Sequence, residues 1–152
     1  MPQQFVEMNS RHLKDTSDIA PYHLILGNHD LNLMNKDRQD AISPIVESIK
    51  SDRIFLHKRS GRAFTEKKDG QHYNFWVFSL ADRENYPIPS SWMNLAEDVN
   101  IGLFHGSVAT CVTDMNWRMT VVEHDLSIFD GLDFAMLGDI HKQQYFRNRT
   151  IA

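Results

Sequence analysis

Apolar residues recur in short bursts between polar stretches marked by glycine or proline, the rhythm of small alternating elements. Phe5, Val6, Met8 and Leu13 follow a loose helical spacing from about Phe5 to Leu13, which stops before Asp18-Ile19-Ala20-Pro21. This predicts a short helix feeding a buried strand from Tyr22 to Leu26, with Gly27 starting the turn. Ser43 before Pro44 reads as an N-cap and first helical position, and Ile45, Val46 and Ile49 form the inward face of a helix ending near Lys50. Arg53 to His57 is another strand. Lys68-Asp69-Gly70 marks a hairpin turn between Arg62-Ala63-Phe64-Thr65 and His72-Tyr73-Asn74-Phe75-Trp76-Val77-Phe78, where alternation of Tyr73, Phe75 and Val77 predicts one buried face. Glu84 to Ser91, carrying Pro87 and Pro89, is a loop. Ile101 to Phe104 is a strand, and Asp125 to Gly131 crosses to the last apolar strand, Phe134 to Leu137. Strands and helices that alternate around an antiparallel meander predict a single α/β domain with mixed sheets, without internal repeat, low-complexity tract or interdomain linker.

Composition narrows the class. A chain of 152 residues with 41% hydrophobic content is an ordinary folded one. No window approaches a membrane span, and Met-Pro-Gln-Gln-Phe lacks the basic and apolar regions of a signal peptide, so a cytoplasmic or intracellular site is expected. Cys111, the one cysteine, excludes an internal disulfide and a cysteine-based zinc site, and is expected to be a buried, inert thiol. Asn148-Arg149-Thr150 matches a glycosylation sequon, taken as chance. A net charge of −4 argues against holding nucleic acid by bulk electrostatics. Lys58, Arg59, Arg62, Lys67 and Lys68 form either a phosphate-facing strip or a solvated hairpin.

The chemistry concentrates where apolar strands end. Leu24-Ile25-Leu26 runs into Gly27-Asn28-His29-Asp30, Ile101 to Phe104 into His105-Gly106, and Phe134 to Leu137 into Gly138-Asp139-Ile140-His141. Each end is a glycine-marked turn bearing metal- or phosphate-binding side chains, and strand ends are where sites form in open α/β sheets.

In this order, His23 to Asp30, Gly102 to Ser107 and Leu137 to Lys142 resemble the calcineurin-like metallophosphoesterases, and among them the SbcD-like DNA repair nucleases that work beside a coiled-coil ATPase. The resemblance spans about Pro21 to Tyr145. It implies an αββα mixed-sheet sandwich, two divalent cations (manganese, or magnesium) about 3.5–4 Å apart, and hydrolysis of a phosphodiester with DNA as substrate. By position, Asn28 and His105 would bind the second metal and His141 the first, with Asp139 standing where the family has a histidine ligand of the second metal. His29 would contact the scissile phosphate and donate a proton to the leaving group. Asp30, Gly27 and Gly138 would support the ligands or form the turns.

The family's Asp-x-His and Gly-Asp-x-x-Asp turns do not precede Gly27. The expectation is therefore the C-terminal part of such a domain, incomplete at its N-terminus and inactive or weak alone. A non-catalytic remnant or assembly module is the competing reading; a phosphomonoesterase or cyclic-nucleotide phosphodiesterase is the alternative within the enzyme class. His12, His57, His72 and His124 are expected at the surface or hydrogen-bonded, His23 packed in the core, and Trp76, Trp92 and Trp117 in the aromatic core rather than stacked on nucleobases.

Overall fold

The computed structural model describes residues 3–32, 35, 38–95, 97–120, 124–146 and 150–151. The side chain of Phe5, and Asn148 and Arg149 of the sequon, lie outside the described residues. The chain is α/β with mixed strand pairing. Helix α1 (Gln3–Ile19) leads into β1 (Tyr22–Ile25), and α2 (Ser43–Ile49) crosses over to β2 (Ile54–His57). Then follow β3 (Gly61–Lys68), β4 (Gln71–Phe78), β5 (Val99–His105), β6 (Phe134–Gly138), β7 (Tyr145–Phe146) and β8 (Thr150–Ile151). Strands β1 and β2 form a parallel pair; the other six form one sheet in the order β3-β4-β5-β6-β8-β7. In that sheet β4, β5, β6 and β8 are parallel, while β3 and β7 pair antiparallel at its two edges.

Local chemistry accounts for most element boundaries. The two-residue turn Asp69-Gly70, both at positive φ (53° and 83°), closes the β3–β4 hairpin. Helix α1 runs further than its apolar spacing predicts. Nothing breaks it before Pro21, and the Thr16 and Ser17 hydroxyls bond back to the carbonyls of His12 and Lys14. The predicted loop at Glu84 to Ser91 contains short 3-10 turns at Arg83–Asn85 and Pro89–Ser91. Among the described residues no helix is long and apolar enough to cross a membrane.

The alternation in β4 points the other way from prediction. Asn74, Trp76 and Phe78 are the buried set, joined by Val77, while Tyr73 and Phe75 are half-buried. Strand β4 lies inside the sheet, covered on both faces, so period two does not separate inside from outside. One face packs Trp76, Phe78, Phe104, Ala135 and Leu137 against Trp92, Phe129 and Leu132. Asn74 is tolerated there because Thr65 donates to its Oδ1 at 2.7 Å and it donates to Asp98 at 3.1 Å. Cys111 is buried, as expected, as are Trp76 and Trp92; Trp117 is 68% exposed, against expectation.

On the opposite face, Phe64 of β3 stacks on Phe75 at 4.4 Å and on His23 of β1 at 3.7 Å, so aromatic rings join the two sheets. His23 Nδ1 and His57 Nε2 lie 2.9 Å apart in coplanar rings, a head-on hydrogen bond in which one ring donates and the other accepts. His23 is thus half-buried in an aromatic stack, and His57 has a partner from the neighbouring parallel strand. Burial holds both imidazoles below the ordinary histidine pKa; nearby Glu66 works against this at His23, and the charge of His23 adds to it at His57.

Near and below the unfolded value of about 6.5, the folded chain therefore binds fewer protons than the unfolded one. The stability from this pair is fully present above about pH 6.5 and is lost as pH falls through the lower folded values. Denaturant titrations at about pH 7.5 and about pH 5.5 should show a loss on acidification that is smaller in His57→Gln. An equal loss in the variant would show that the pair does not carry it.

Candidate metal centre

The ends of β1, β5 and β6 meet around the imidazole of His105, the last residue of β5. A Cβ at Gly27 would fall 2.9 Å from His105 Nε2, and one at Gly138 would fall 2.8 Å from Nδ1. Real side chains do not come that close, so the ring occupies space left by two glycines on adjoining chains. The Gly106 N–H donates to the Gly138 carbonyl at 3.3 Å and ties the β5 end to the β6 end.

Two further donors converge on this ring. Asn28 Oδ1 lies 3.2 Å from His105 Nε2, and Asn28 Nδ2 donates to Asp139 Oδ1 at 2.9 Å. The Nε2 to Asp139 Oδ1 separation is 3.8 Å, with both side chains about three-quarters buried (27% and 25% exposed). Asp139 holds φ at 89°, a conformation uncommon outside glycine, and turns its carboxylate toward the amide and imidazole. Three residues separated by 77 and 111 positions are thus brought together by strand order alone.

The set suits a hard or borderline divalent cation. Bonds of about 2.0–2.2 Å from such an ion to nitrogen and oxygen place neighbouring ligand atoms roughly 3 Å apart. The 3.2 and 3.8 Å separations of His105 Nε2 from Asn28 Oδ1 and Asp139 Oδ1 lie close to that, so these three side chains are the ones that would hold such an ion. Among the described residues no three His, Cys, Asp or Glu side chains group as a metal site. This candidate has two of that kind and draws its third donor from an amide.

The other predicted residues fall into distinct places. Asp30 is a turn residue: its Oδ2 accepts from the Gly27 N–H at 2.8 Å and its own N–H donates to the Gly27 carbonyl at 3.2 Å. His29 is exposed and lines a cleft of about 490 Å³ with Asn28, Asn32, Arg38 and Gln39. His141 does not join the cluster; it is 85% exposed, with Nδ1 3.7 Å from Asp114 Oδ2. The cleft residues Arg38 and Gln39 escaped the sequence reading, since an irregular loop has no periodicity to expose them.

That loop is pinned at its far end. Asp40, almost fully buried, accepts from the Ser43 N–H at 2.6 Å, the Ser43 hydroxyl at 2.7 Å and Lys58 Nζ at 3.1 Å. Burial alone would raise its pKa, but the bonds from Ser43 and the charge and bond of Lys58 hold it below the ordinary value. Lys58, half-exposed, is thereby paired, while Arg59 before the hairpin and Arg62, Lys67 and Lys68 on it are exposed.

No family model matches the chain. It is 37% identical over 162 residues to "Uncharacterized protein R555" of Acanthamoeba polyphaga mimivirus, an alignment covering 100% of this chain and 12% of that protein. These findings overturn the resemblance to calcineurin-like metallophosphoesterases, SbcD-like nucleases included: the chain matches no such family, and the relative's name assigns no activity. Turns of a few residues after apolar strands carried that resemblance, and such turns arise wherever strand ends are crowded. The coiled-coil ATPase partner and the repair setting, which rested on it alone, lose their support with it. The geometry around His105 does not depend on it.

Gly138→Ala should displace the His105 ring, because the new methyl would meet Nδ1. Long-range ¹H–¹⁵N NMR of the imidazole reads this directly, with the fold checked by circular dichroism. His105 resonances unchanged in a folded variant would refute the wedge.

Proposed function

We propose that the chain holds a divalent cation, manganese or magnesium, at Asn28, His105 and Asp139 and uses it to hydrolyse phosphodiesters. The observation that carries this reading is the meeting of an amide oxygen, an imidazole nitrogen and a carboxylate in space left by two glycines, beside a polar cleft. When bound, the cation polarises a phosphoryl oxygen and acidifies water. The chain's own residues supply the rest. Arg38 in the cleft offers a fixed positive charge to a phosphate, and exposed His29 reaches a leaving oxygen as proton donor. Asn28 sits between His105 and Asp139 and fixes the orientation of both.

Within the α/β class we propose a layered sandwich. Helices α1 and α2 lie with the β1–β2 pair, which contacts the six-stranded sheet through Phe64 and His23. The 3-10 turns carrying Phe129 and Leu95 form the outer layer beyond Trp76 and Phe78, where the αββα expectation had helices.

The position of His141, turned to Asp114, favours the second reading, an assembly module that keeps the fold without turnover. Manganese titration followed by electron paramagnetic resonance, together with hydrolysis of bis(p-nitrophenyl) phosphate and DNA, separates the two. The enzyme reading expects one cation site that weakens at least about 10-fold in His105→Ala. It also expects His29→Ala to keep the cation and lose about 10²–10⁴-fold in turnover. A bound cation without turnover favours the module, and binding indifferent to His105→Ala refutes the centre.

A further inference from the structure

The hairpin from Val112 to Met119 stands beside the loop that continues from Asp139, and it is firmly held. Gln144 clamps the main chain of Val112, accepting from its N–H at 2.9 Å and donating to its carbonyl at 2.8 Å. Val112 bridges Arg118 across the hairpin, the Met119 N–H donates to the Cys111 carbonyl at 2.9 Å, and Lys142 Nζ donates to Asn116 Oδ1 at 2.5 Å. Asp114 at the tip faces His141, two residues beyond Asp139. On this fixed support Met115 is 90% and Trp117 68% exposed. A single exposed apolar residue is ordinary. Here an indole and a thioether share one anchored tip, flanked by the cations of exposed Arg118 and half-buried Lys142.

We infer that Trp117, with Met115, Arg118 and Lys142, is a stacking platform for an unpaired base of a single-stranded nucleic acid. This rests on the phosphodiester reading of the neighbouring centre. A chain of net charge −4 cannot hold such a strand by overall field, so its affinity has to come from local contacts. An indole face stacks on any base, and flanking cations meet the phosphates on either side. The firm anchoring means that little loop ordering opposes binding.

The test uses the whole chain, an oligothymidylate of about eight nucleotides and an abasic strand of equal length. Trp76 and Trp92 are buried (6% and 1% exposed), so quenching of tryptophan fluorescence by the strand reports Trp117. The oligothymidylate should quench, and labelled-strand anisotropy should show about 10-fold weaker binding both for the abasic strand and for Trp117→Ala. Trp117→Phe should retain most of the affinity, and because position 117 is exposed, Trp117→Ala should stay folded by circular dichroism. Equal affinity for the two strands, no binding at all, or unchanged affinity in Trp117→Ala would overturn the platform. So would quenching that grows with protein concentration without any strand, which would mean that a second copy covers the indole. Manganese resonance on the same samples separates the two claims. Base-dependent quenching without a cation site keeps the platform and removes the phosphodiester reading; a cation site without base dependence does the reverse.

Discussion

The arrangement at the strand ends depends on one steric constraint: the His105 ring needs the room of two absent side chains. It is the terminal residue of β5, paired in register with Gly138 of β6, and the chain leaving β1 crosses its other edge at Gly27. With a methyl on either side the imidazole would have to rotate away, and Asn28 would lose the partner 3.2 Å from its oxygen. The positive φ of Asp139 belongs to the same constraint. Directly after Gly138, the chain must turn sharply to clear the ring, and a short polar side chain is among those that tolerate this conformation.

Where structure follows from local chemistry, the sequence was legible. Asp69-Gly70 makes its two-residue turn and the apolar bursts after Pro21, Asp52, Asp98 and Asp133 became strands, while α2 opens one position earlier than predicted, with Ile42 as N-cap and Ser43 already its first helical residue. The convergence of Asn28, His105 and Asp139 could be anticipated because each follows such a burst beside a glycine. What depends on pairing between distant strands could not. His57 meets His23 only because β1 and β2 are parallel neighbours, a register that no spacing along the chain encodes. The β4 alternation misled because a strand covered on both faces has no solvent side. His141 misled for a third reason: two residues past a left-handed Asp139, the chain has already turned, and its side chain faces Asp114. Family identity read from the same turns failed because strand-end crowding, rather than descent, suffices to select glycine beside a polar residue.

Two separate devices hold the surroundings of the centre, and they differ in kind. The aromatic stack of Phe75, Phe64 and His23 joins the sheets through dispersion and ring geometry, with the His23–His57 bond at its end. Asp40 works by charge and hydrogen bonding: a buried carboxylate that caps the start of α2 and takes Lys58 as its counter-ion. The cleft loop leaves β1 near the first device and rejoins the fold at the second. His29 lies close to the first of these along the chain and Arg38 close to the second.

The overall charge of −4 sets how such a site must operate. At physiological ionic strength, fields between exposed charges are largely screened beyond about 8 Å, so a phosphate approaching the strand ends senses the groups around it more than the whole molecule. Nearby lie the carboxylates of Asp139 in the centre and Asp30 in the cleft, and against them Arg38 in the cleft and Lys142 three residues beyond Asp139. A divalent cation at the amide, imidazole and carboxylate would turn that neighbourhood from nearly balanced to positive. Asp139 neutralises only part of the ion's charge, and the neutral Asn28 and His105 neutralise none. Substituting a carboxylate for the Asn28 amide would bind the ion more tightly and leave less charge to attract a phosphate. On this physical ground, a centre that serves a phosphate gains from one amide ligand where a site meant only to hold metal would favour a second carboxylate.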